Sequence, residues 1–222
     1  MHRLDRSSIQ EPTCLSSYQH GRDSWSDVTH EDKEEVRSRL EQLQGRRCAY
    51  CEGDLDKLGQ HIEHFVQKGR RSEVTFLWSN LFWACDQADR CGRYKDKCKP
   101  GYNDRDLIKP DEDDPDHFLH FISDGSIRPR AGLSPADYHR AKETLRVFKL
   151  DEDFGKLRAM RREAIRPHLL TAIAIAEIAA KHAQDVWLEF WREEVAAVSG
   201  LPFTTAIRHA LTTVDNANGE LH

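Results

Sequence analysis

Four cysteines constrain this chain more than any other feature: the pair Cys48-Ala-Tyr-Cys51 and, further on, Cys85 and Cys91. A two-residue gap makes a tight knuckle that brings two thiolates to one face of a tetrahedral ion, and a second couple completes the shell. Four thiolates leave zinc no open position, so the ion staples a small fold and does no chemistry. The competing uses are as small buried apolar groups, the state expected of Cys14, or as disulfides. No apolar secretory segment opens the sequence, so a reducing cytoplasm is expected and disulfides are not. Cys98 is spaced so that it could replace Cys91 as fourth ligand, and the sequence leaves both open.

Any reactive centre must then lie apart from the zinc. The one concentrated set of oxygen and imidazole donors between the couples is His61-Ile62-Glu63-His64, and Asn80 follows it. An acid beside a histidine occurs often by chance; enclosed by metal-type cysteines and followed by an asparagine, it has the parts for phosphodiester hydrolysis with a second metal. Magnesium suits such a site because it takes oxygen ligands, keeps several waters and needs one or two protein carboxylates; manganese is the other candidate. His64, with an ordinary pKa of about 6.5, can accept a proton from water near neutrality. Asn80 is expected to hold the imidazole by a hydrogen bond and fix its tautomer. Trp78, Phe82 and Trp83 are expected as the small core beneath the site.

The motifs Cys48-Ala-Tyr-Cys51-Glu52, Ile62-Glu63-His64-Phe65, Thr75-Phe76-Leu77-Trp78-Ser79-Asn80-Leu81 and Cys91-Gly92-Arg93-Tyr94-Lys95 resemble the PtuB family, the HNH endonuclease subunits of Septu and retron-associated anti-phage systems. The likeness extends to Pro12–Tyr18 with Trp25, to Leu107–Asp111, and to Asp114–Phe121 through Gly125–Pro129, roughly the first three quarters of the chain. It implies a β-hairpin followed by a helix, the ββα-metal fold, with Glu63 as acidic metal ligand, His64 as general base and Asn80 as the residue orienting that base. One departure matters. Where such proteins commonly carry Asn or His as a further metal ligand, this chain has Gly92. Asp96, one turn past Gly92 on a helix beginning near Cys91, could replace it. So could His61, which in an extended segment points to the same side as Glu63; water is the third option.

The resemblance further implies a PtuA-like ABC/OLD-type ATPase partner, a nucleic acid substrate (DNA or tRNA), and association with a retron reverse transcriptase and its RNA–DNA product, the msDNA. Nothing resembles a phosphate-cradling Walker A loop, so the chain itself is not expected to bind ATP. The alternative reading, kept open by Gly92, is a non-catalytic zinc-binding adaptor on a decayed HNH scaffold that binds the ATPase or nucleic acid.

Composition agrees with a modest core and much exposed helix: 38% hydrophobic and 32% charged residues. The longest apolar stretch, residues 169–180, falls short of the ~20 residues of a membrane span. A net charge of −5 is unusual for a nucleic-acid binder, but its distribution is uneven. Residues 46–99 hold 11 Lys/Arg against 8 Asp/Glu and residues 128–166 hold 11 against 6, while residues 104–116 hold 7 acids against 2 bases. The basic tracts are expected to meet phosphates, with the acidic segment turned away or towards a protein.

The fold class expected is α+β, mainly helical, in three parts: an N-terminal arm and helix (1–45), the zinc-bound module with its following loop (46–130), and a C-terminal helical region (131–222). Residues 1–28 read as an extended arm and residues 30–44 as a helix, with Val36, Leu40 and Leu43 on one face and Gly45 as its stop. Ser134-Pro135 starts a second helix with Tyr138, Ala141, Leu145 and Phe148 as its stripe. Further helices are expected at 153–166, 168–182 and 185–199, and a loose tail at 215–222. Arg158, Arg161, Arg162 and Arg166 read as ordinary surface charge. Trp187, Phe190 and Trp191 read as core, or as the anchor for the ATPase.

Overall fold

The computed structural model describes residues 1–152 and 155–212. The expected helix start at residue 153 and the expected tail at 215–222 lie outside these. The chain forms two compact units, one of Met1–Phe118 with Gly132–Leu150, the other of Leu119–Ala131 with the chain from Asp151 onward.

In the first unit the N-terminal residues 1–28, expected as an extended arm, pack against the rest of the unit. They hold a single 3-10 turn, Thr13–Ser17, and bury Met1, Leu4, Leu15 and Val28, because irregular backbone can still place apolar side chains where no period signals them. Helix α1 (His30–Gln44) starts where Thr29 accepts from the Asp32 N–H and stops at Gly45, whose φ of +61° suits glycine. Val36 and Leu40 are fully buried, each contributing roughly 1.5–3 kcal/mol. Gln44, also buried, pairs its amide with both the N–H and the C=O of Trp83, acting as a one-residue strand against the sheet.

Strands β1 (Gln60–His64) and β2 (Leu81–Cys85) pair antiparallel, with Ile62 opposite Trp83 and Glu63 opposite Phe82. The short helix α2 (Cys91–Lys95) follows, so the strand, strand, helix order is present. Trp78, just before β2, and Phe82 and Trp83 within it are buried, as expected of core residues. Helix α3 (Pro135–Val147), capped by Ser134 with proline in its first turn, packs within this unit, although the reading of the sequence groups it with the later helices. Its buried stripe is Ala141, Thr144 and Val147; Tyr138 is half exposed, contrary to its expected place in the core. The Thr144 hydroxyl earns burial by accepting from the Ile108 N–H at 2.8 Å. Three acids of the segment 104–116 are paired within the chain. Asp111 takes Arg6, Glu112 takes Lys109, and Asp113 takes Arg140.

The second unit contains a hairpin that the sequence did not announce, β3 (Leu119–Phe121) with β4 (Ile127–Pro129). Its turn needs Gly125, whose φ is +88° and whose Cβ would lie 2.1 Å from the Arg158 carbonyl oxygen. Helices α4 (Lys156–Ile165), α5 (Leu169–Lys181), α6 (Gln184–Ala197) and α7 (Thr204–Thr212) follow; the last was also not expected. Arg161 is not surface charge. It is fully buried, donating to the Gly125 carbonyl at 2.6 Å and facing Asp151. His209 on α7 accepts the Phe121 N–H through Nδ1 at 3.0 Å, tying this helix to β3. Trp187, Phe190 and Trp191 pack, partly buried, on a cluster that includes Ala172, Ile175, Val198 and Leu211. No helix among the described residues is long and apolar enough to cross a membrane.

Candidate active site and metal centre

Cys48, Cys51, Cys85 and Cys91 are brought together, all buried, with their sulfurs within 4.8 Å of one another. The knuckle closes through Cys48 N–H to the Gly53 carbonyl and Glu52 N–H to the Cys48 carbonyl, with Glu52 at φ +62°. The Gly53 N–H points at the Cys51 sulfur, 3.4 Å away. Cys85 ends β2 and Cys91 opens α2 at φ +53°, its N–H held by the Phe148 carbonyl at 2.8 Å. Cys98 is elsewhere, its sulfur accepting from Arg146 at 3.3 Å, so the fourth position belongs to Cys91.

The cluster fits zinc. Bonds of about 2.3 Å to a tetrahedral ion set sulfurs ~3.8 Å apart, compatible with this grouping. Protons alone hold four sulfurs badly. Burial opposes ionisation of Cys48, but hydrogen bonds from Cys51, Cys85 and Cys91 outweigh it and lower its pKa; Cys85 is raised by its hydrogen bond to Cys48, and Cys91 by burial and its three neighbours. A divalent cation would hold all four as thiolates.

Beside this staple, β1 alternates. His61 and Glu63 share one side, and His61 Nε2 lies 2.9 Å from Glu63 Oε2. Glu63 is 4% exposed. Burial pushes its carboxyl pKa up, but Lys95 and then His61 more than reverse this, so it is held below its usual value. Lys95 is wholly buried, its Nζ 2.7 Å from Glu63 Oε1 and donating to the carbonyls of His64 (2.6 Å) and Phe65 (3.0 Å). Burial would lower its pKa, yet Glu63 raises it on balance, so the pair is ionised.

Gly92 explains the approach of Glu63. A Cβ there would sit 2.3 Å from Oε2, so the longer acid fills the space that a side chain on α2 would need. Asp96 does not fill the gap: α2 ends at Lys95, and the half-exposed Asp96 carboxylate accepts from Gln67 at 2.8 Å and pairs with Lys95 at 3.2 Å. Among the three options for the second donor, His61 is the side chain set beside Glu63.

His64 is 5% exposed. Its Nε2 is 3.1 Å from the Thr75 carbonyl oxygen, and since a carbonyl only accepts, Nε2 carries the proton. Nδ1 is therefore the ring nitrogen that carries the lone pair. Burial and then Lys68 lower the imidazole pKa to about 4, so the ring is neutral at pH 7. Trp25 meets the ring edge-on at 4.6 Å.

Asn80 does not touch the imidazole. Its amide takes the Val66 N–H (2.8 Å) and donates to the Val66 and Val74 carbonyls (3.1 and 3.0 Å), clamping the two ends of the segment after β1. The Thr75 carbonyl that faces His64 is the next one along, so Asn80 is linked to the imidazole through backbone. The sequence reading missed Lys95, whose signal was its place one helical turn from Cys91 on the buried face of α2, and gave Trp25 no role.

No protein-family model matches the chain. Over 128 residues it is 29% identical to a protein of Vibrio cholerae serotype O1 biovar El Tor described as "Retron Vc95 putative HNH endonuclease". The matched stretch is 54% of this chain and 59% of that protein, so the chain spans less than two thirds of its relative's length.

Proposed function

We propose that this chain is an HNH-type endonuclease that hydrolyses phosphodiester bonds of nucleic acid in a retron-associated anti-phage system. The observation that carries the reading is the pairing, on consecutive residues of β1, of an ionised buried acid with a neutral histidine whose Nδ1 is unprotonated. The relative's description supports the same class and setting.

In this reading His64 Nδ1 takes the proton of the attacking water, and Thr75, held through the Asn80 clamp, keeps the ring in the one tautomer that can do so. Glu63 Oε2 and His61 Nε2 are the atoms that would hold a divalent cation, in place of the hydrogen bond that joins them at 2.9 Å. The cation would supply positive charge to the phosphate oxygens. An imidazole donor suits manganese better than magnesium. The Cys48, Cys51, Cys85 and Cys91 zinc would be structural.

PtuB-type membership, a PtuA-like ATPase and the retron reverse transcriptase with its msDNA belong to the same proposal and rest on the sequence resemblance. A second reading, the zinc-binding adaptor, has one observation in its favour: Lys95 already neutralises Glu63, which weakens its pull on a metal. Incubation of the purified chain, alone and with the ATPase, with labelled DNA and total tRNA under manganese, magnesium or EDTA separates the two. Metal-dependent cleavage products are expected, more with manganese. Intact strands under every condition, with nucleic acid or ATPase still bound, would establish the adaptor.

A further inference from the structure

We propose that the cleft beside His64 is a subsite for one unpaired nucleotide of the substrate, with Trp25 as its stacking platform and Lys68 as its phosphate contact. The choice of ligand rests on the nuclease reading above. The cleft has a volume of about 480 Å³ and is walled by His20, Trp25, Lys33, Lys68, Ser72 and Thr75, among others. That volume lies within the range of sites that enclose small ligands. Two of these residues are also the two that hold the base, Trp25 against the ring edge at 4.6 Å and Thr75 through its carbonyl at 3.1 Å. An occupant of the cleft is therefore one residue removed from the imidazole, across Trp25 and Thr75.

The lining matches a nucleotide in two respects. Trp25 is half-buried and held in place, its ring 6.3 Å from Phe76, which in turn stacks on Tyr18 at 5.5 Å; a fixed aromatic loses little entropy on taking a base. Trp78, Phe82 and Trp83, the aromatic residues nearest Asn80 in sequence, are buried and cannot serve. Lys68 is exposed and has no carboxylate partner among the described residues, while Arg46, Arg71, Arg93, Lys109 and Arg140 in the same unit each sit on one. The acid in the cleft wall, Asp23, is taken up by Arg22 and the Gln19 N–H. Uncommitted positive charge thus lies in the same wall as Trp25 and Thr75, the two residues in contact with His64. A base inside a duplex has both faces covered by its neighbours, so a base within the strand must be unpaired to stack on Trp25.

The test uses the full chain carrying His64→Ala, so that binding is read without cleavage. The probe is a fluorescein-labelled oligonucleotide of mixed sequence, as DNA and as RNA, single-stranded or annealed to its complement, followed by anisotropy. Adding Trp25→Ala should weaken single-strand binding about tenfold, with Trp25→Phe recovering part of the loss, and leave duplex binding unchanged. Adding Lys68→Ala, an exposed change that does not threaten folding, should weaken it and reduce the slope of log affinity against log salt by ~0.7. Single-strand affinity unchanged by both Trp25→Ala and Lys68→Ala overturns the subsite, as does a chain that binds no strand. A chain that binds strands through Trp25 and Lys68, but whose His64 form cuts nothing, supports the subsite and defeats the nuclease reading.

Discussion

Lys95→Met tests how the acid of the site is held. The ammonium makes a 2.7 Å ion pair with Glu63 and donates to two carbonyls, all out of contact with water. Methionine keeps the chain length, so the loss is electrostatic and not a cavity. Removing one partner of a buried pair costs about 3–5 kcal/mol, because the remaining charge stays buried without compensation. Converting Glu63 to Gln as well removes that charge, so the double variant should fall short of the summed single costs by roughly 2–3 kcal/mol. The carbonyls of His64 and Phe65 stay unpaired in both, which keeps a residual loss of about 1–3 kcal/mol. Urea unfolding of the zinc-loaded protein, followed by tryptophan fluorescence, gives all four corners of the cycle. A Lys95→Met protein within ~1 kcal/mol of the parent, or strictly additive costs, would refute a buried, ionised pair.

Cys48→Ser or Cys85→Ser should abolish stoichiometric zinc, measured by elemental analysis, and leave the protein largely unfolded; Cys98→Ser should keep its zinc. Gly92→Ala should drive Glu63 off His61, costing roughly 1–3 kcal/mol in urea unfolding and lowering cleavage at least about tenfold. Because the folded pKa of His64 lies near 4, below the unfolded 6.5, the unfolded chain takes up the proton first as pH falls. Stability from this group is thus fully present above pH 6.5 and declines through pH 4, by about 3 kcal/mol in all; His64→Ala should flatten that part of the pH–stability curve.

Local signals made part of the fold legible. Gly45 stops α1, Ser134-Pro135 opens α3, and the cysteine spacing identified Cys48, Cys51 and Cys85 while leaving the fourth place to Cys91 or Cys98, because each of these signals is local in sequence. Strands of three residues, such as β3 and β4, carry too short a pattern to read. Arg161 reads as surface until Gly125 and Asp151 are brought to it by the fold, and the burial of Lys95 depends likewise on Glu63. In the site, Glu63 and His64 stood out by type and position, whereas the task of Asn80 depended on where the chain after β1 doubles back. The absence of a side chain at Gly92 makes sense only beside the Glu63 carboxylate, which occupies the space a Cβ would need.

The central claim is that His64 is the base of a nuclease, and the most direct measurement compares single-turnover cleavage by the parent and by His64→Ala in the same complex with manganese. The predicted result is a rate lower by about 100- to 10,000-fold, with zinc content and circular dichroism unchanged. Cleavage by His64→Ala at close to the parental rate would contradict the account and assign the chemistry to another subunit.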